Sequence, residues 1–261
     1  MNWGRRAGSH RKKIPLARTQ VQVSRRELFR YAAAGSCALG AAAMGVNAAV
    51  AQADSDLGTL IDYSGGVPSA DAILEAGHVG AIRYVSDRRK GAEWMMGKPL
   101  RAEEAEALTD AGLEIVSCYQ FGKGTTADWR GGLEAGKRHA DRGLELHLAA
   151  GGPANRPIYA SIDDNPTPIE FATMIAPYLL GWQAVVGKEN TGVYANSPTI
   201  DLATAAGLGS WFWQHDWGTP EGYVHPDAQL HQFEIDKRRI DGIGIDLNSI
   251  LAPDYGQWSL S

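Results

Sequence analysis

The segment PIYASIDDNP, residues 157–166, passes from a proline and five largely apolar residues into two neighbouring aspartates, an asparagine and a second proline. Punctuated at both ends, the run is short enough for a buried strand. Strand residues alternate sides, so Tyr159, Ser161 and Asp163 share one face while Ile158, Ala160 and Ile162 share the other. Ile162 is then expected to pack outward against helices, with Asp163 facing an opening at the end of the strand. Asp164 leans into the loop, where Asn165-Pro166 turns the chain and caps a following helix. Either aspartate alone serves as well for capping as for chemistry.

Runs of the same kind recur on both sides: GTLIDYS (58–64), GAIRYVS (80–86), EIVSCYQ (114–120), TGVYANS (191–197), SWFWQ (210–214), QLHQFE (229–234) and GIGIDLN (242–248). With 157–164 they make eight. Helix-like stretches separate them at 69–77, 101–112, 128–146, 168–187 and 199–207, several opening on Ser, Asp or Pro and closing on Gly. Strand and helix alternating in this way predict an α/β fold, a compact TIM-type (β/α)8 barrel of parallel strands. Its last units are degenerate, because a Gly- and Pro-rich loop (216–228) stands where a helix is due. An open doubly wound sheet is the alternative, but its glycine fingerprint is missing.

In such a barrel the C-terminal strand ends surround one mouth. They offer Asp62, Arg83, Tyr84, Tyr119, Gln120, Asp163, Asp164, Tyr194, Asn196, Gln214, His215, Gln232, Glu234, Asp246 and Asn248. Three separate strands ending in Asp62, Asp163 and Asp246 are hard to ascribe to capping. Carboxylates crowded at one mouth suit glycosidic bond cleavage, where one acid must be protonated and another ionised. Trp213, Trp217, Tyr84 and Tyr119 are candidates for stacking on sugar rings, although core packing is the plainer reading of Trp211 and Trp213. Arg83 and Gln120 are expected to orient the substrate. His215, Asp216, His225 and His231 raise the possibility of a metal, but no H-x-x-x-H or H-E-x-x-H spacing supports one. No G-x-S-x-G motif is present, and Cys118, inside an apolar run, reads as core filler.

The N-terminus tells where the barrel goes. SRRELFR (24–30) precedes a small, apolar run that ends at Ala51-Gln52-Ala53. A twin arginine with an A-x-A exit predicts a Tat signal over residues 1–53, cleaved to release an exported domain over 54–261. A membrane-spanning helix over 31–50, or a lipoprotein site at Cys37, fits this Ala- and Gly-rich run less well. The exported part carries 16 Lys and Arg against 29 Asp and Glu, a net −13 before histidines. So acidic a surface excludes nucleic acid as a natural partner. With Cys118 its only cysteine, it has no internal disulfide, and no cofactor or stable membrane insertion is implied.

At LGTLIDYSGGV, GAIRYVSDRR, VSCYQFGKGTTADW, PIYASIDDNP, TGVYANS, WFWQHDWG and GIDLNSI the chain resembles the Tat-exported actinobacterial (mycobacterial-type) glycoside hydrolase-like barrel proteins, distantly similar to cell-wall lysozymes. The resemblance spans nearly all of residues 57–258. It implies a TIM-type barrel with an aspartate ending the first strand, a D-x-E pair ending the fourth and an aspartate on the last, matched here by Asp62, Asp163 and Asp246. The glutamate of D-x-E falls on Asn165, and an amide cannot donate a proton as an acid can. The expected function is therefore action on a cell-envelope polysaccharide, of peptidoglycan or arabinogalactan type. Asp163 or Asp164, or else Glu234, is the expected acid, with Asp62 or Asp246 as base or stabiliser. A non-catalytic glycan-binding module on the same barrel is the alternative, and a metal-dependent hydrolase the third option.

Overall fold

Strands β1 (Thr59–Asp62), β2 (Gly80–Tyr84), β3 (Glu114–Tyr119), β4 (Ile158–Ser161), β5 (Thr191–Asn196), β6 (Trp211–His215), β7 (Leu230–Ile240) and β8 (Ile243–Ile250) follow one another in chain order and close into a barrel. This is a computed structural model that describes residues 57–260, so the expected signal over 1–53 lies outside the described residues. Helices α1 (Ala70–Glu75), α2 (Ala102–Asp110), α3 (Gly132–Ala149), α4 (Pro168–Val186, with a π turn over Phe171–Ile175) and α5 (Ser197–Ala205) occupy the first five connections. Ser69, Thr167 and Asn196 cap α1, α4 and α5 by accepting backbone N–H groups. The connection from β6 to β7 has no helix, as the Gly- and Pro-rich composition of 216–228 requires.

One expectation about the strands is corrected. β1 to β7 are parallel, but β8 runs antiparallel to both β7 and β1. The cause is the Asp241-Gly242 turn, in which both residues have positive φ (51° and 77°). Two such residues make a tight hairpin, which leaves no length for a crossover. The hairpin also replaces the missing helix, because Ile240 and Ile245 join the outer core beside Ile61 and Ile73.

Alternation sorts the strand residues into two cores. Leu60, Ile82, Val116, Cys118, Tyr159, Trp213, Leu230 and Ile250 fill the lumen below the mouth. Ile61, Ala81, Ile115, Ile158, Val193 and Phe212 face the helices. Trp258 packs in the outer core beside β3, exchanging backbone hydrogen bonds with Ile115 and donating its indole N–H to Ser117 Oγ at 3.1 Å.

The long helices α3 and α4 meet at Gly136 and Gly181. A Cβ on Gly181 would lie 2.4 Å from the Leu133 carbonyl oxygen, and one on Gly136 2.1 Å from that of Tyr178. Gly181→Ala is therefore expected to lower stability by about 1–3 kcal/mol, read from the denaturation midpoint, because the backbones must part. α4 is also apolar enough by composition to cross a membrane, yet it buries Tyr178, Leu179 and Trp182 against the barrel.

Candidate functional site

Asp62 ends β1 on the inner face and is 2% exposed. Three side chains donate to it: Tyr84 OH at 3.1 Å, Gln232 Nε2 at 3.0 Å and Asn248 Nδ2 at 2.9 Å. Each donor is held in turn. Tyr194 OH donates to Gln232 Oε1 at 2.5 Å, and Trp213 Nε1 donates to Asn248 Oδ1 at 2.8 Å. Both amides are thereby oriented with their NH2 groups toward Asp62.

The reversed strand brings in the second carboxylate. Register pairs Asp246 directly with Asp62, and the Gln232 NH2 that bonds Asp62 also reaches Asp246 Oδ2 at 3.3 Å. Asp246 accepts in addition the Asp236 backbone N–H at 2.8 Å. Burial, and then the charge of Asp62, push the Asp246 carboxyl up to about 7. Burial likewise raises Asp62, partly offset by its three donors. Like charges this close do not both ionise readily, so the pair holds one proton near neutrality. Asp246, the more exposed of the two, is the one raised to about 7 and so the one able to give up a proton near neutrality.

A folded carboxyl raised above its unfolded value stabilises the fold below the unfolded pKa, and that contribution is lost as pH rises through the folded one. Stability is expected to fall between about pH 4 and 7 through this pair, and Asp246→Asn to flatten that slope in denaturation curves taken across the range.

Asp163 lies past the end of β4, its carboxylate accepting from Gln120 Nε2 at 2.9 Å and paired with Lys123 at 2.8 Å. Asp164 turns into the loop as expected, accepting the Asn165 N–H and standing 3.5 Å from Arg130. His215, fully buried, packs 4.9 Å from the Tyr194 ring, and its Nε2 donates to the Ile162 carbonyl at 3.3 Å. A carbonyl only accepts, so the proton is on Nε2; burial lowers the pKa and keeps the ring neutral. Trp217 stands exposed on the loop after β6.

Several expected ligand contacts are corrected. Arg83 points away from the lumen, where it pairs with Glu104 and donates to the Tyr63 and Gly97 carbonyls. Tyr119 is on the same outer side, stacked on His139 and edge-on to Trp182. Gln214 also faces outward, tying the next loop to the barrel through Tyr223 O and His225 N. Asn196 caps α5 with Oδ1 and donates to Asn165 Oδ1, so its amide is committed. Glu234 sits opposite Leu247 rather than Asp246, and Arg238 takes its carboxylate at 2.6 Å. His225 and His231 bond Asp201 and Asp216 separately, and among the described residues no three metal-ligating side chains gather.

Loops supply residues that the strand pattern did not mark. Lys98 is 4% exposed, donates to the Gln120 carbonyl at 2.8 Å and lies 3.9 Å above the Tyr84 ring. Asp128 receives the Phe121 and Gly122 N–H groups, which holds in place the loop that carries Lys123.

A model of the "Rv2525c-like, glycoside hydrolase-like domain" family matches residues 71–250. The chain belongs to that family. Rv2525c of Mycobacterium tuberculosis, provisionally named a peptidoglycan hydrolase, is 58% identical over 241 residues, 92% of this chain and 100% of its own length. A crystal structure of Rv2525c in complex with L-tartrate superposes with a TM-score of 0.77 at 62% identity, covering 78% of this chain and all of that one. That relative is Tat-secreted, in agreement with the export route expected of the twin arginine at Arg25-Arg26. The autolysin LytC of Streptococcus pneumoniae, at 14% identity and a TM-score of 0.50 over 73% of this chain and 46% of that one, shares the fold alone. This barrel thus holds a carboxylate pair, one buried and one half-buried, at its mouth, with a third carboxylate just past the end of β4.

Proposed function

We propose that this exported Rv2525c-like barrel hydrolyses glycosidic bonds of a cell-envelope polysaccharide, of peptidoglycan or arabinogalactan type. The observation that carries the reading is the Asp62–Asp246 pair bridged by one amide at the mouth. Asp246, protonated near neutrality, is the group able to protonate a leaving sugar oxygen. Asp163, 2.8 Å from an ammonium, supplies the carboxylate that activates water or stabilises the oxocarbenium-like transition state. This reverses the roles expected from the D-x-E pattern, and it leaves Asn165 out of the chemistry. Trp217 and Trp94, both exposed, offer ring faces to sugar, while the Tyr84 ring carries Lys98 beside the pair. The choice of polysaccharide is supported by the name of Rv2525c.

A second reading, binding without cleavage, is favoured by one observation: Asn165 stands where the lysozyme pattern has its acid, and its Oδ1 is occupied by Asn196 at 2.9 Å. Incubation with purified peptidoglycan and arabinogalactan separates the two. Release of reducing ends by the wild type, lost in Asp163→Asn, supports hydrolysis; saturable binding with no release by either protein supports the module.

The proposal includes removal of residues 1–53. N-terminal sequencing of protein recovered from the medium is expected to begin at Asp54, and a start within residues 1–30 would refute cleavage.

A further inference from the structure

The exported part is acidic overall, yet its β2 loop is not. Residues 85–101 hold five cations (Arg88, Arg89, Lys90, Lys98 and Arg101) against Asp87 and Glu93. Asp87 is bound to Arg142 of α3, and Glu93 caps the Gly91 N–H. The usual fate of such charges is a solvated surface, and for Arg88 and Lys90, both exposed, that account suffices.

It does not suffice for Lys98 and Arg89. Lys98 is as buried as the core, yet it has no ion-pair partner among the described residues. A buried ammonium is normally paired, because nothing else repays its lost hydration. Here a carbonyl and the Tyr84 ring face are its recorded partners. Burial lowers it only to about 8, so the charge persists at neutral pH. Arg89 is half-buried and also has no carboxylate partner among the described residues; its contact is with the Phe121 carbonyl at 3.5 Å. The field of Arg89 reaches Lys98, and Asp128, the acid that both of them feel, is committed to two backbone N–H groups. Tyr84, half-buried, links this spot to the mouth, with its ring under Lys98 and its hydroxyl on Asp62.

We propose that Lys98 and Arg89 form an anion subsite on the wall between the β2 and β3 loops, taking an acidic substituent, a carboxylate or a phosphate, carried by the glycan. The subsite deepens the function proposed above and rests on it for the glycan alone. It sits beside Tyr84, so an anion held there places the attached sugar next to the Asp62–Asp246 pair.

The test is binding, not turnover. Calorimetry on the exported protein compares a peptidoglycan fragment with free carboxylates, the same fragment with those carboxyls amidated, and a phosphate-bearing envelope glycan. The acidic fragments are expected to bind at least about tenfold more tightly than the amidated one. Arg89→Gln should remove about tenfold from the acidic fragments and nothing from the amidated one. Lys98→Met should do the same more strongly; Arg89→Gln keeps the test decisive should Lys98→Met fail to fold. Preference between the carboxylate and phosphate fragments identifies the source of the anion. Equal binding of amidated and free fragments, or an Arg89→Gln loss that ignores the charge of the ligand, overturns the subsite. Charge-selective binding without any release of reducing ends leaves the subsite standing and overturns hydrolysis. Turnover of amidated and free fragments at equal affinity does the reverse.

Discussion

Asp246→Asn is expected to cut the release of reducing ends about a thousandfold, within the range found when a general acid is removed. The protein should remain folded. Asparagine keeps the shape of the acid and its oxygen can still accept the Asp236 N–H, although its NH2 then gives up the contact that Asp246 Oδ2 accepts from Gln232. What it lacks is a proton to give. In the wild type, activity should decline as pH rises through about 7, because Asp246 is then deprotonated and the leaving oxygen is no longer assisted. If the alkaline limb persisted in Asp246→Asn, another group would own it. If Asp246→Asn kept more than about a tenth of the activity, the acid would have to be sought elsewhere, and Asp163 would be the next residue to replace. The ligand affinity of Asp246→Asn should stay close to that of the wild type, so that the loss appears in kcat and not in KM.

Much of this site was legible because of strand parity. Alternation marks Asp163 and strand-end position marks Asp62 and Asp246, and the barrel brings Asp62 and Asp246 onto one shared donor, Gln232 Nε2. The same rule, applied to whole tips, went wrong. Strand-end position alone puts Arg83 and Tyr84, Tyr119 and Gln120, and Gln214 and His215 at one mouth, yet adjacent strand residues point to opposite faces. Only Tyr84, Gln120 and His215 share the side of Asp62; Arg83, Tyr119 and Gln214 serve the outer layer. The reversal of β8 had a signal too, since Asp241-Gly242 between two apolar runs marks a hairpin. It was obscured by the repetition of strand and helix in the units before it. Lys98 and Lys123 carried no such mark. Their placement depends on the path of irregular loops, on Asp128 gathering the Phe121 and Gly122 N–H groups, and no periodicity encodes that.

Arg83 shows what the misplaced residues do instead, and its loss is expected to be the most damaging to the fold. The guanidinium is fully buried, pairs with Glu104 at 2.5 Å, donates to the Tyr63 and Gly97 carbonyls at 2.6 Å each, and stacks 3.8 Å from the Tyr63 ring. Tyr63 OH donates to the same Glu104 oxygen at 2.8 Å. One side chain thus ties β1, the β2 loop and α2 together. Arg83→Met would leave Glu104 and two carbonyls without their donor, a loss of about 3–5 kcal/mol. That is a large share of the 5–15 kcal/mol or so by which domains are stable. Removing both charges, as Arg83→Met with Glu104→Met, should recover a good part of it, since an apolar pair of similar volume costs less than an orphaned carboxylate. The alternative, that Arg83 orients substrate, makes the opposite forecast: a denaturation midpoint near wild type, a raised KM, and no rescue by the second substitution. With every recorded donor of Arg83 turned toward the outer layer, stability is where its effect should appear.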